Sequence, residues 1–199
     1  MKPKTSTPAG VLLAALLAPG AASAEPADWK IDPEHFSILY EVEHIGYQQQ
    51  LGMFLEARGA FRFDPDTREL YSGRVAVEAA SVFSNHDRRD RHVRSDDFLD
   101  AGAHPLIDFE VTAFAPDDPE ADTGTLSGAL TLIGETHPVE LRVTLNKRAD
   151  YPFGHRRETL GLSATTTIQR SRWGMDYGVG GALVGDEVTL RFEFEAIRE

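Results

Sequence analysis

Apolar and polar residues alternate with a period of two along nearly the whole chain, and this leaves little choice of secondary structure. The clearest run sets Val139, Leu141, Val143 and Leu145 against Glu140, Arg142, Thr144 and Asn146. Another sets Val188, Leu190, Phe192, Phe194 and Ala196 against Thr189, Arg191, Glu193 and Glu195. Phe36, Ile38, Tyr40 and Val42 follow the same rule, with His44 next in phase. Successive side chains of an extended strand face opposite ways, so each run is a strand with one buried face. Met53 to Asp64, Tyr71 to Val82, the run through Ile107, Phe109 and Val111, Leu126 to Leu132, and Leu160 to Ile168 bring the total to about eight strands. No stretch shows the i, i+3, i+4 apolar spacing of a helix.

The strands are separated by turn-forming groups such as Asp64-Pro65-Asp66 and Ala115 to Pro119. Links of that length imply antiparallel pairing. The chain is therefore all-β, and the pattern alone fits either a two-sheet sandwich or a closed barrel. Ala79, Gly128 and Ala164 lie on apolar faces. In a barrel of eight strands they either leave room for one small ligand or fit the taper of a filled core.

One segment breaks the grammar. Asn85 to Asp97 holds four arginines, two histidines and four aspartates in thirteen residues, with almost nothing apolar to bury. Ser95 is placed to cap a one-turn helix over Asp96 to Leu99, and a short helical insertion is expected at about 84–101.

The first 24 residues read as a secretory leader. Lys2 and Lys4 precede the apolar run Val11 to Ala18, Pro19-Gly20 breaks it, and Ala22-Ser23-Ala24 suits cleavage after Ala24. Residues 25–199 then form a single domain, long enough to build a core without staples. There is no cysteine, which removes disulfides and thiol chemistry from consideration. The formal charge of −12 falls to −14 without the leader's two lysines. Such a surface is repelled by nucleic acid and by anionic headgroups, and no second apolar run offers stable membrane insertion.

Several separated motifs carry a resemblance. Trp29-x-Ile31-Asp32-x-x-His35 is followed by Tyr40-x-Val42-x-His44, then by Arg89-Asp90-x-His92 with Ser95-x-Asp97-Phe98, and by Pro105-x-Ile107-x-Phe109. Further on come Gly128-x-Leu130-Thr131-Leu132-x-Gly134-x-Thr136-x-Pro138-Val139 and Ala164-x-Thr166-x-Ile168-x-Arg170-Ser171-x-x-Gly174-Met175. In this set and order the chain resembles the YceI-like family over essentially all of residues 25–199. The resemblance implies an eight-stranded, lipocalin-like antiparallel barrel with a helical segment and a long apolar tunnel. It also implies a periplasmic protein without catalytic activity or cofactor that binds an amphiphilic lipid: an isoprenoid, an isoprenoid quinone or a fatty amide. Homodimerisation is left open. The sequence departs from the family pattern at Phe36, inserted between His35 and Ser37, at Tyr40, at the glutamines 48–50 and at the 178–181 loop.

Each candidate residue has a functional and a structural reading. His44 either bonds a ligand head at one end of a pocket or is a buried imidazole satisfied by the protein. Ile38, Tyr40, Val42 and Phe109 are inward pocket candidates. Arg170, Trp173 and Met175 either contact a flexible hydrocarbon chain or pack a barrel end. Arg89, Asp90, His92 and Asp97 either receive an anionic head or form a polar clasp, an Arg–Asp network pinning the helix to the barrel. The opposing aspartates favour the clasp. A competing possibility is an interaction protein or a metal-assisted enzyme using His86, Asp90 and His92. The spacing of that group matches no metal-binding motif, and no metal is expected.

Overall fold

The computed structural model describes residues 26–199. The expected leader, residues 1–24, lies outside them. Ten strands form one antiparallel sheet in the order β10-β9-β8-β7-β6-β4-β3-β1-β2-β5, and pairing between β10 and β1 closes it into a barrel. In chain order the strands are β1 (Ala27–His44), β2 (Gln48–Phe54), β3 (Ala57–Asp64), β4 (Glu69–Glu78) and β5 (Val82–Phe83). Helix α1 (Asp87–Val93) follows, then β6 (Leu106–Pro116), β7 (Thr123–Leu132), β8 (Glu135–Asp150), β9 (Glu158–Gln169) and β10 (Val184–Arg198). The closing pairing gives β10 a ladder partner on each side, β9 and β1.

The barrel has eight staves, two of which are broken. The sequence reads Met53 to Asp64 as one strand, but the structure divides it at Leu55-Glu56 into β2 and β3. Tyr71 to Val82 is likewise divided, by a 3-10 turn over Ala79–Ser81, into β4 and β5. One side chain stitches both breaks. The Ser81 hydroxyl accepts from the Leu55 and Glu56 amides at 3.2 and 3.1 Å and donates to the Glu78 carbonyl at 2.7 Å. Backbone groups that lose ladder partners are thereby paired elsewhere. Above the breaks the ladder resumes with Met53 opposite Phe83 and Phe54 opposite Val82.

β1 also bends. Its register against β10 shifts between Ile31 and Phe36, where Pro33 has no amide to give. Asp32 holds the bend, its Oδ1 accepting from the Glu34 amide at 2.9 Å and its Oδ2 lying 2.8 Å from His35 Nδ1.

The core falls into two clusters. A lower one, around Trp29, Phe63, Leu160 and Ala196, closes one end of the barrel. The Trp29 indole N–H there donates to the Phe63 carbonyl at 3.1 Å. The upper cluster runs from Ile38 and Val77 through Leu130, Leu141 and Ala164 to Trp173 and Met175. No helix among the described residues is long and apolar enough to cross a membrane.

The helical insertion falls within the expected 84–101 stretch, but its helix is not the one-turn helix expected over Asp96 to Leu99. α1 occupies Asp87–Val93 with His86 as its N-cap, and residues 96–99 form turns. Ser95 does not cap a second helix, because its hydroxyl donates back to the His92 carbonyl at 2.7 Å.

Candidate ligand-binding site

Inward-facing residues of every stave enclose a cavity of about 580 Å³ along the barrel axis. Ile38, Val75, Phe109, Leu130, Leu141, Ala164, Leu190 and Phe192 are among its wall residues. Polar side chains collect at the two ends. His44, Gln50, Arg89 and His92 stand at the end where the β1–β2 turn meets α1, which we call the mouth. At the opposite end Arg68 and Asp122 form an ion pair at 2.8 Å.

Two ring positions in the wall are set by glycine. A Cβ on Gly52, opposite Tyr40 in the β1–β2 ladder, would overlap the Tyr40 ring. A Cβ on Gly128 would overlap the Phe109 ring. The missing side chains let both aromatics lie flat against the neighbouring strand. Gly128 therefore does not leave open space, because Phe109 fills the place. The Tyr40 hydroxyl is buried without a hydrogen-bond partner among the described residues. Burial pushes its ionisation upward and the nearby Asp90 charge adds to this.

Of the residues singled out in the sequence, Ile38, Tyr40, Val42, His44, Phe109, Arg170 and Met175 all line the cavity. Trp173 does not. It is 1% exposed, its indole N–H donates to the Leu130 carbonyl at 3.1 Å, and the His137 ring packs edge-on against it at 5.0 Å. His44 is exposed at the end of β1, so the buried-imidazole reading fails.

Arg170 is 2% exposed, and its donors are committed to backbone. Nε donates to the Gly185 carbonyl at 2.8 Å, Nη1 to Met175 at 2.6 Å, and Nη2 to Tyr177 and Val184 at 2.8 and 3.0 Å. Burial pulls its ionisation below the ordinary arginine range, opposed by the charges of Asp186 and Asp176. The guanidinium organises the 174–185 segment that borders the mouth. This arrangement differs from that of a free ligand-binding cation.

The polar segment is wired through Ser84, one residue before the stretch that the sequence marks out. Asp90, 3% exposed, accepts from the Ser84 amide at 2.8 Å and from the Ser84 hydroxyl. Arg89 Nε donates to that hydroxyl at 2.7 Å and Nη2 to the Ser84 carbonyl. The expected direct Arg–Asp network is thus a serine-centred one. Arg94 Nη2 adds a bond to the Val82 carbonyl at 2.7 Å, and His92 Nε2 pairs with Asp97 at 2.8 Å. These bonds leave His86, Asp90 and His92 facing different partners, and they do not form a shared metal centre.

A second set of contacts across the mouth is aromatic. The His92, Phe98 and Tyr177 rings lie 5.0 to 5.2 Å apart, joining the α1 segment to the loop before β10. Tyr177 carries no signal in the sequence, because its neighbours 174–182 lack strand or helix periodicity. Asp32, His35 and Glu195 bring metal-ligating atoms within 4.8 Å of one another, but Asp32 already bonds both Glu34 and His35.

The sequence profile of the YceI-like domain matches residues 29–196. A UPF0312 protein of Pseudomonas fluorescens is 36% identical over 189 residues, covering 92% of each chain. Protein YceI of Escherichia coli O157:H7 is 34% identical over 181 residues, covering 90% of this chain and 91% of its own. Among solved structures, the Campylobacter jejuni YCEI protein superposes with a TM-score of 0.70 at 25% identity, covering 79% of this chain and 89% of its own. A polyisoprenoid binding domain from Saccharophagus degradans superposes with a TM-score of 0.60 at 11% identity, covering 86% and 98%.

Proposed function

The chain belongs to the YceI-like family, and from that footing we propose that it is a binding and carrier protein that holds one amphiphilic lipid in its barrel. The observation that carries this reading is the apolar cavity of about 580 Å³, walled almost entirely by aliphatic and aromatic side chains. Such a space has little to offer a polar substrate. For a hydrocarbon chain, each Å² of apolar area removed from water contributes about 25 cal/mol.

An isoprenoid chain is the cargo we favour, with isoprenoid quinones and fatty amides next. The Saccharophagus degradans domain that shares this fold is a polyisoprenoid binder by name, which supports the choice. The leader-like residues 1–24, cleaved after Ala24, support export to the periplasm. The reading has no catalytic step, because the polar groups described at the mouth are largely engaged in hydrogen bonds that hold the fold.

Organic extraction of protein purified from its native host is expected to release a long-chain lipid in stoichiometric amount, seen by mass spectrometry. Protein that carries no lipid and shows no affinity for quinones or prenyl lipids in titration ends the carrier reading.

A further inference from the structure

Two loops meet at the mouth, and neither carries a charge. Residues 45–55 and 177–185 contain no aspartate, glutamate, lysine or arginine, in a chain of which 26% is charged. They hold the glutamines 48–50 and the 178–181 loop, two of the places where the sequence leaves the family pattern. The pairing of His44 with Val184 sets the loops side by side at the mouth ends of β1 and β10.

Their apolar side chains face solvent. Tyr47 is 88% exposed at the tip of the β1–β2 turn, and Ile45, Leu51, Tyr177 and Leu183 are exposed around it. Five of the nine large apolar side chains exposed among the described residues thus stand at one end of the barrel. A concentration of that kind marks an interaction surface. Ile45, Tyr177 and Leu183 also line the cavity, so the rim and the interior share side chains.

Ile45 holds its place against the preference of the turn. The Tyr47 amide donates to the His44 carbonyl at 3.0 Å, and φ is +52° at Ile45 and +72° at Gly46. Positive φ at both central residues is the type I′ pattern, which favours Asn-Gly. A β-branched residue is disfavoured there, so the geometry of the turn does not account for an isoleucine at its tip.

We propose that the mouth is a docking surface for a lipid bilayer, on which the two loops settle so that the cavity opens directly toward the membrane. The inference rests on the carrier reading above and adds where the cargo enters. Loops without charge have no ionised group to desolvate on entering the headgroup layer. Tyrosine, with an apolar ring and a polar tip, suits that depth. The chain's formal charge of −12 holds most of the molecule off an anionic surface, whereas the neighbouring stretch from Asn85 to Asp97 balances four arginines against four aspartates. The mouth is therefore the end that can approach. A protein partner seated on this rim would cover the opening that cargo must pass, while a bilayer is a source of cargo. Contact also spares the hydrocarbon chain a passage through water. The contact is peripheral, and the barrel stays outside the hydrocarbon core.

The first test floats protein purified from its native host with phosphatidylcholine vesicles that contain no prenyl lipid, so that it reads docking without cargo. The parent is expected to float with the vesicles, and Tyr47→Glu to partition about tenfold less. Ile45→Asn should also float less while its thermal midpoint holds or rises, because asparagine suits the turn. That pair of readings separates lost docking from lost folding. In the second test, protein loaded with geranylgeraniol delivers it to acceptor vesicles. Delivery through docking speeds up in proportion to vesicle concentration and is about tenfold slower in Tyr47→Glu. Tyr47 lies outside the cavity wall, so that variant keeps the parent's affinity for geranylgeraniol in solution. A parent that does not float, or a delivery rate indifferent to vesicle concentration, overturns the docking surface and leaves the carrier reading standing. Failure to load any prenyl lipid counts against the carrier reading, and flotation then decides the surface alone. A dimer in solution that Tyr47→Glu converts to monomer assigns the rim to a second copy and overturns the bilayer.

Discussion

The guanidinium of Arg170 lies 5.5 Å from the centre of the Phe98 ring. That contact joins two parts of the chain far apart in sequence, the turns after α1 and the 3-10 turn after β9. Tyr177 and His92 close the same group from above with ring contacts of 5.0 to 5.2 Å. The border of the cavity mouth is thus held by an arginine bonded to four backbone carbonyls and by aromatic faces, with no carboxylate in direct contact with the guanidinium.

Replacing Arg170 tests that arrangement. Arg170→Met removes four hydrogen bonds and leaves the carbonyls of Met175, Tyr177, Val184 and Gly185 without that partner. A loss of roughly 3–5 kcal/mol in urea unfolding is expected. Arg170→Lys should rescue little, because a point ammonium cannot reach carbonyls on several sides of a planar fork. Hydrogen exchange at 174–185 should rise in both variants.

Gly52 and Gly128 set the inner outline of the cavity. In Gly52→Ala the new methyl meets the Tyr40 ring, which must swing toward the cavity or push β1 from β2. The expected cost is roughly 1–3 kcal/mol, accompanied by weaker lipid binding. A variant as stable as the parent with unchanged affinity would show that the ring relaxes outward.

Ala164 faces the cavity from β9 with a side chain that leaves room in front of it. Ala164→Phe should fill part of the 580 Å³ while adding apolar contacts. The thermal midpoint is expected to hold or rise while lipid affinity falls at least about tenfold. Unaltered affinity would place the lipid elsewhere.

Much of this was legible in the sequence, and what was not has a common cause. Val139, Leu141 and Val143 alternate because their strand has one face on the interior, so the strand is written locally. The break at Leu55-Glu56 is not, since it depends on the Ser81 hydroxyl some 25 residues away. The motif around Arg170 marks that residue as important, but only the folded chain shows its donors spent on the backbone. Trp173 and Met175 are two positions apart with similar apolar character, yet one is sealed under His137 and the other lines the cavity. The polar stretch was visible from its charge, whereas its hub, Ser84, lay just outside it. Seven of the eight pocket candidates reached the cavity wall because inward phase follows from strand period or from the family motif.

The bend in β1 carries a pH dependence. Hydrogen bonding to Asp32 holds His35 above its ordinary value of 6.5, with Glu195 adding to the effect. Burial pushes Asp32 upward, but bonds from His35 and Glu34 outweigh it and hold the carboxyl below 3.8. A raised histidine stabilises the fold fully below 6.5, and that contribution is lost as pH rises through the higher folded value. A lowered carboxyl stabilises above 3.8, and its contribution is lost as pH falls through the lower folded value. The stability difference between the parent and His35→Gln should therefore be greatest between those limits and shrink on either side. A difference that does not vary with pH would show that the pair contributes only through packing.

Asp90 decides whether the polar segment holds the fold or holds the ligand. Its carboxylate is 3% exposed and accepts from the Ser84 amide and hydroxyl, while Arg89 donates to the same hydroxyl. Asp90→Ala leaves a buried amide without its acceptor and removes the support under Arg89, at an expected cost of roughly 2–4 kcal/mol. Asp90→Asn keeps an acceptor oxygen for the Ser84 amide, so it should recover part of that loss and separate the hydrogen bond from the charge. If the residue only positions its neighbours, affinity for a prenyl lipid such as geranylgeraniol stays near the parent's in both variants below their midpoints. Geranylgeraniol affinity abolished at an unchanged midpoint would instead make Asp90 a direct ligand contact, because a structural role cannot weaken tail binding without also lowering stability.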